Sequence, residues 1–326
     1  MATGMTATRP GRVAAWCWLG LRCARLLVVL PLQLWRTWVG SRLLLTAFRR
    51  TVVPMVQTRI SRAPRQREVE QRLSGWALQG GYLICSYARM IGRRDVDDLA
   101  VVAASFTRLY DDLLDERGGA HLGERLAQLF ASKEVTPESD LEALVGDQFR
   151  WLEARLPAST AVTVRAHLGE LHAIQTKSVH TGSAWDPEAI VQLTLAKGGA
   201  GMAILGGLAN PDANASDFAV LHQLGGVLQL IDDYDDAFED KAVLTSAACG
   251  HVSFGRIAGE LRRVSRSLAD QYGDRPARSF VDGLCNWLVL VGLRHVLDRL
   301  RGLDEATPGV PRRRLAMITS RKEHVQ

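Results

Sequence analysis

The 326 residues are 47% hydrophobic and 23% charged, which suffices for one large domain with a substantial core, and Leu, Ala and Arg dominate in a way that favours helices over strands. Five cysteines (Cys17, Cys23, Cys85, Cys249, Cys285) show no paired spacing, so neither a disulfide framework nor a CxxC metal site is readable and a reduced, cytoplasmic compartment is expected. The net charge of +5 hides an asymmetry: twelve arginines and no acidic residue precede Glu68, and everything after it is net acidic.

Residues 1–65 form a basic amphipathic leader that carries four of the eight tryptophans, Trp16, Trp18, Trp35 and Trp38. Its longest stretch without a charge runs from Leu26 to Trp35, half of the roughly 20 residues that a membrane-spanning helix needs. Arginines interrupt the apolar region and no small-residue cleavage site follows, so a secretory signal fits poorly. Two readings stand. The leader lies in a membrane interface, arginines toward anionic headgroups and Trp and Leu toward the acyl boundary, with the protein peripheral on the cytoplasmic face. Alternatively it is a helix pair packed on the body, its arginines balancing the acidic remainder. A nucleic-acid-binding arm is disfavoured because the stretch is too apolar for a solvated tail.

Helical periodicity then persists along the chain. It predicts helices at roughly 13–50 (broken near Pro31), 66–92, 95–117, 121–132, 137–155, 159–181, 187–208, 215–241, 253–272 and 277–301, each boundary good to about three residues. Asp186-Pro187 reads as an N-cap followed by proline at the first helical position, Asn210-Pro211 as a stop, and Asn214 or Ser216 as the next cap. The expected organisation is the leader, one helical domain over 66–304 and a basic tail over 305–326.

The chemistry lies in two acidic clusters. Asp111, Asp112 and Asp115 fall within about 100° of one helical face. Carboxylates that close repel one another, and they gather at a helix C-terminus, where the macrodipole disfavours negative charge. Mg²⁺ gives such a cluster a purpose, since it takes hard oxygen ligands and shares a substrate phosphate. The DDxxD spacing recurs 121 residues later, where Gln229, Asp232, Asp233, Asp236 and Asp240 again share a face within roughly 100°. Asp235 points elsewhere. Two such clusters on separate helices can bracket a diphosphate through shared magnesium. The histidines predict no zinc or hydrolytic site: His167 and His172 are five apart and no HExxH pattern occurs. Phe106, Tyr110, Trp151, Phe218 and Trp287 read first as core, with carbocation contact as the alternative.

Asp111-Asp112-Leu113-Leu114-Asp115 together with Gln229-Leu230-Ile231-Asp232-Asp233-Tyr234-Asp235-Asp236 resembles the two motifs of trans-prenyltransferases and class I terpene synthases. The likeness is closer to the bacterial tetraprenyl-β-curcumene synthase type, through Gln79-Gly80-Gly81, Gln175 in the Leu171–Lys177 helix, and Lys197-Gly198-Gly199-Ala200-Gly201-Met202. It covers about residues 65–300 and is specific at the aspartate motifs. The resemblance implies an all-α isoprenoid-synthase bundle around a central apolar cavity. It also implies a cluster of three Mg²⁺ and an ionisable allylic prenyl diphosphate as substrate.

The departures from that pattern direct the expectation. Elongating prenyltransferases carry an early Gly-Lys-Arg segment and an arginine pair after the first motif; here Tyr82-Leu83 follows Gly80-Gly81, and Arg117 alone follows Asp115. That favours ionisation and cyclisation over elongation. The Asn-Ser-Glu metal triad of microbial cyclases is also missing, and Asp232, Asp236 and Asp240 take its i, i+4, i+8 spacing. Lys197, alone among small residues, reads as a diphosphate contact or as a lysine passing a tight helix crossing. Gln175, Gln229, Lys177, Arg117 and Lys241 complete the candidate diphosphate set. The expected activity is that of a terpene synthase, with a chain-elongating prenyl diphosphate synthase and a non-catalytic membrane-docked helical protein as alternatives. A second copy of the chain is a candidate partner.

Overall fold

The computed structural model describes residues 9–117, 120–131, 133, 135–179, 186–236 and 252–300. Among these the secondary structure is helical, with no strand. The elements are α1 (Arg9–Arg59), α2 (Ala63–Met90), α3 (Asp97–Arg117), α4 (Ala120–Phe130), α5 (Asp140–Glu153), α6 (Ala158–Val179), α7 (Pro187–Ala209), α8 (Ala215–Asp236), α9 (Phe254–Tyr272) and α10 (Asp274–Leu300). The all-α class read from periodicity therefore holds.

Local chemistry sets many of the boundaries. Ser139 accepts from the Glu142 amide while Glu142 reaches back to the Glu138 amide, so α5 begins on reciprocal side-chain caps. Asn214 Oδ1 accepts from the amides of Ser216 and Asp217 and opens α8. Asp186 caps α7 ahead of Pro187. The third helix starts at Asp97 rather than Asp95, because Asp95 takes a left-handed φ of 59° and cannot be its first turn.

The larger correction concerns α1. It is one helix of 51 residues that runs through both Pro31 and Pro54, with no break near Pro31. A proline in a helix interior loses one backbone hydrogen bond and crowds the preceding turn, which kinks or breaks many helices. Here the helical path is kept on either side. Along its second half Leu44, Ala47, Phe48, Val52 and Val56 recur at helical spacing and are buried in the same core as residues of α2 and α3. Three of its arginines meet acids of the body: Arg22 with Asp282 at 2.5 Å, Arg50 with Asp98 at 2.6 Å, and Arg59 with Asp147 through two nitrogens at 2.5 and 2.8 Å. The Arg59 and Arg150 guanidinium groups hold the Asp147 carboxyl below its usual range against the opposing effect of burial. The opposite side of α1 is different: Trp35, Trp38 and Leu43 are exposed, with the Arg42 guanidinium 4.1 Å from the Trp38 ring centre.

Helices α2 and α3 pack together against α1, and α6, α7, α8, α9 and α10 each pack on the next. Gly207 lies against Val164, and Thr160, one turn earlier on α6, donates to the Pro211 carbonyl just past the end of α7, so α6 and α7 are antiparallel. Leu195 lies against Gly226 and Leu221 against Gly206, so α7 and α8 are antiparallel too. It follows that α6 and α8 run in the same direction. Among the described residues two segments, Glu188–Ala209 and Asp274–Leu297, are long and apolar enough to cross a membrane by length and composition. The first of them is α7, which is packed against α6 and α8 and tied to α9 by the Arg256–Glu188 pair at 2.9 Å. Hydrogen bonding from Arg256 draws the Glu188 carboxyl down to about 2.

Candidate metal centre

The first acidic motif emerges from a core helix. Residues Val101 to Phe106, then Leu109 and Tyr110, are buried, and the carboxylates follow at once. Asp111 Oδ1 accepts a 2.6 Å hydrogen bond from Gln175 Nε2 of α6. Asp112 has different company: Arg72 of α2 approaches at 2.7 Å and Arg108, one turn earlier on α3, at 2.8 Å. Its side chain is only 7% exposed, and a carboxylate that deep requires such paired, hydrogen-bonded cations. Arg108 in turn lies 5.8 Å from the centre of the Trp76 ring.

The second motif depends on a close helix crossing. A Cβ at Gly198 of α7 would come within 2.6 Å of Gln229 Cβ and closer still to the Gly225 carbonyl; a Cβ at Gly225 would come within 2.5 Å of Met202 Cβ. Two glycines therefore face each other with backbone nearly against backbone, an approach that no larger residue permits. This brings Thr194 of α7 to Asp233, whose Oδ2 accepts from Thr194 Oγ1 at 3.1 Å while Oδ1 accepts from Gln229 Nε2 at 2.9 Å. Asp232 beside it is half-buried. Asp235 turns to α10 and accepts from Arg294 at 3.1 Å, off the face of the cluster.

The helix directions bring the two motifs to one end of the bundle. His167 of α6 and His222 of α8 are in contact, and both helices proceed from that level toward the same end. Gln175, eight residues on, and Asp232 and Asp233, ten and eleven residues on, rise about 12 Å and 15–17 Å from it. Because Gln175 holds Asp111, α3 delivers its carboxylates to that same end.

Lys197, one turn after Thr194, is half-buried and has no ion-pair partner among the described residues. Its neighbours Gly198 and Gly199 admit α8, through Gly225 and His222 respectively, so these glycines serve a helix contact. The side chains of Asp115, Arg117, Lys177 and Asp236, and all of Asp240 and Lys241, lie outside the described residues. Arg72, Arg108 and Thr194 belong to the site without having been anticipated. Arg108 carried a signal, the i, i+4 spacing to Asp112 on a helix. Arg72 and Thr194 carried none, because each arrives from another element.

Beneath Asp111 lies an aromatic cluster. Phe106, Tyr110, Phe130, Phe149 and His172 have ring centres 5.4–6.5 Å apart, and the Tyr110 hydroxyl is 2.9 Å from His172 Nδ1. Burial pushes the Tyr110 phenol up and the His172 imidazole down. An apolar recess between α3, α5, α6 and α7 adjoins it, lined by Phe106, Phe149, Val164, Leu168, Ile204 and Leu208.

No family model matches the chain, and no curated protein is detectably similar to it.

Proposed function

We propose that this chain is a class I terpene synthase, which ionises an allylic prenyl diphosphate and lets the resulting cation cyclise or lose a proton, releasing diphosphate. The observation that carries the reading is that one aspartate of each motif is held by a neutral side chain of a further helix, Asp111 by Gln175 of α6 and Asp233 by Thr194 of α7. The donor set fits Mg²⁺: hard carboxylate oxygens from Asp111, Asp232 and Asp233, with Asp115, Asp236 and Asp240 continuing the same faces by sequence. When bound, Mg²⁺ supplies Lewis acidity to the departing diphosphate.

The remaining work falls to the chain's own residues. Asp112 is the first motif's structural member, since Arg72 and Arg108 already neutralise it. Those arginines also place positive charge beside the diphosphate end, where it stabilises developing negative charge. Lys197 is the proposed contact to the leaving group from α7. Phe106, which lines the apolar recess, is the proposed aromatic contact to the cation, and the apolar lining would exclude water from it. A membrane surface is the proposed source of so lipophilic a substrate, and the exposed Trp35, Trp38 and Arg42 on α1 suit contact with it.

The test is incubation of purified protein with Mg²⁺ and C10 to C25 allylic diphosphates, with and without isopentenyl diphosphate. A hydrocarbon or terpene alcohol without isopentenyl diphosphate is expected, and Asp111→Asn and Asp233→Asn should each remove it while leaving the helical fold intact. A longer diphosphate formed only with isopentenyl diphosphate assigns an elongating synthase instead. No turnover of any substrate refutes the reading.

A further inference from the structure

About 15 Å down α8 from Asp232, ten residues earlier in the helix, three side chains converge that the proposed reaction does not use. His167 and Glu170 are one turn apart on α6 and share a face, and His222 of α8 lies against them. His167 Nδ1 is 3.2 Å from Glu170 Oε2, and His222 Nε2 is 3.4 Å from His167 Nδ1 and 4.0 Å from Glu170 Oε2. The point equidistant from these three atoms lies about 2.1 Å from each, the length of a zinc bond to imidazole nitrogen or carboxylate oxygen. A contraction of the triangle by about 0.1–0.2 Å lifts that point out of the plane into a tetrahedral geometry with one position open.

The surroundings set this arrangement up. Gly199 of α7 leaves room for the His222 ring, whose Nδ1 would be 2.8 Å from any Cβ there. Phe218, one turn before His222, lies 5.0 Å from the His167 ring, centre to centre. Glu170 is 48% exposed, so an ion and a water ligand have access from solvent. Burial lowers the His222 pKa, which favours the neutral ring a metal requires. Two imidazoles with one carboxylate select a borderline ion; Mg²⁺ prefers an all-oxygen shell.

We infer that His167, Glu170 and His222 form a zinc site that ties α6 to α8, separate from the aspartate motifs. Both helices lead from it to the candidate metal centre, α6 to Gln175 and α8 to Gln229, Asp232 and Asp233. An ion here would fix the spacing of the two helices that hold Asp111 and Asp233 in place. The site does not depend on the proposed reaction.

The experiment uses untagged full-length protein stripped with a chelator, titrated with Co²⁺ as a spectroscopic stand-in and then with Zn²⁺. One tetrahedral site per chain is expected, its intense Co²⁺ absorption displaced by Zn²⁺ and distinct from the weak absorption of octahedral Co²⁺ at carboxylates. His167→Ala, His222→Ala and Glu170→Gln should each weaken binding at least about tenfold, the least that loss of even an outer contact typically costs. Glu170 is exposed, so its variant keeps the test sound if a histidine variant fails to fold. Asp232→Asn, which alters only the aspartate centre, should leave the tetrahedral Co²⁺ absorption unchanged. Absence of saturable binding in the folded parent, equal affinity in the Glu170→Gln variant, or a sulfur-to-cobalt charge-transfer band that moves the ion to a cysteine would each overturn the assignment.

Discussion

Replacing Gly198 with alanine tests whether the α7–α8 crossing positions the second motif. The new methyl would stand 2.6 Å from Gln229 Cβ, against the roughly 3.5–4.0 Å of an unstrained carbon–carbon contact, with the Gly225 carbonyl closer still. Neither obstacle is the end of a flexible side chain, so the helices must separate by on the order of 1 Å. Overpacking of this kind costs about 1–3 kcal/mol, and a backbone obstacle places Gly198 near the upper end. Alanine returns up to about 1 kcal/mol of helix propensity, leaving a net loss of about 2 kcal/mol. Gly201, one turn on in α7, is the internal control: a Cβ there meets nothing within 4 Å, so Gly201→Ala should gain up to about 1 kcal/mol. The two alanine variants therefore differ by about 3 kcal/mol, read from urea unfolding followed by circular dichroism. Because Gln229 and Thr194 both hold Asp233, Gly198→Ala should also weaken Mg²⁺-dependent binding of inorganic diphosphate, and Gly201→Ala should not. Equal stability of the two variants would refute the account of the crossing.

Two further outcomes are expected. Arg72→Ala should destabilise the chain by about 1–2 kcal/mol, the lower part of the range for a charge-assisted hydrogen bond because Arg72 is 39% exposed and Arg108 remains on Asp112. A double-mutant cycle with Asp112→Asn measures the coupling, and a value near zero would remove Asp112 from its role as anchor. Serine at both Trp35 and Trp38 should weaken binding to anionic vesicles about tenfold or more with unchanged thermal stability, since both rings are exposed; undiminished vesicle binding would exclude this face of α1. Deleting residues 1–60 is a poorer test, because it strips Leu44, Phe48, Val52 and Val56 from the core.

The elements of this protein were largely legible because a helix is written in neighbouring residues. Apolar spacing placed the helices, and Asn214 and Asp186 placed two of their starts. The same local logic misread Pro31, where α1 continues through a residue that breaks many helices. Other features rest on contacts across the chain. Arg72 reaches Asp112, Thr194 reaches Asp233 across two facing glycines, and His222 meets His167 and Glu170 from more than fifty residues away. No periodicity reports such meetings, because side chains from different helices become neighbours only once crossing angles and helix directions are set. The sequence by itself determined which groups are available and on which helical faces they stand. The packing of α3, α6, α7 and α8 decided which of them converge.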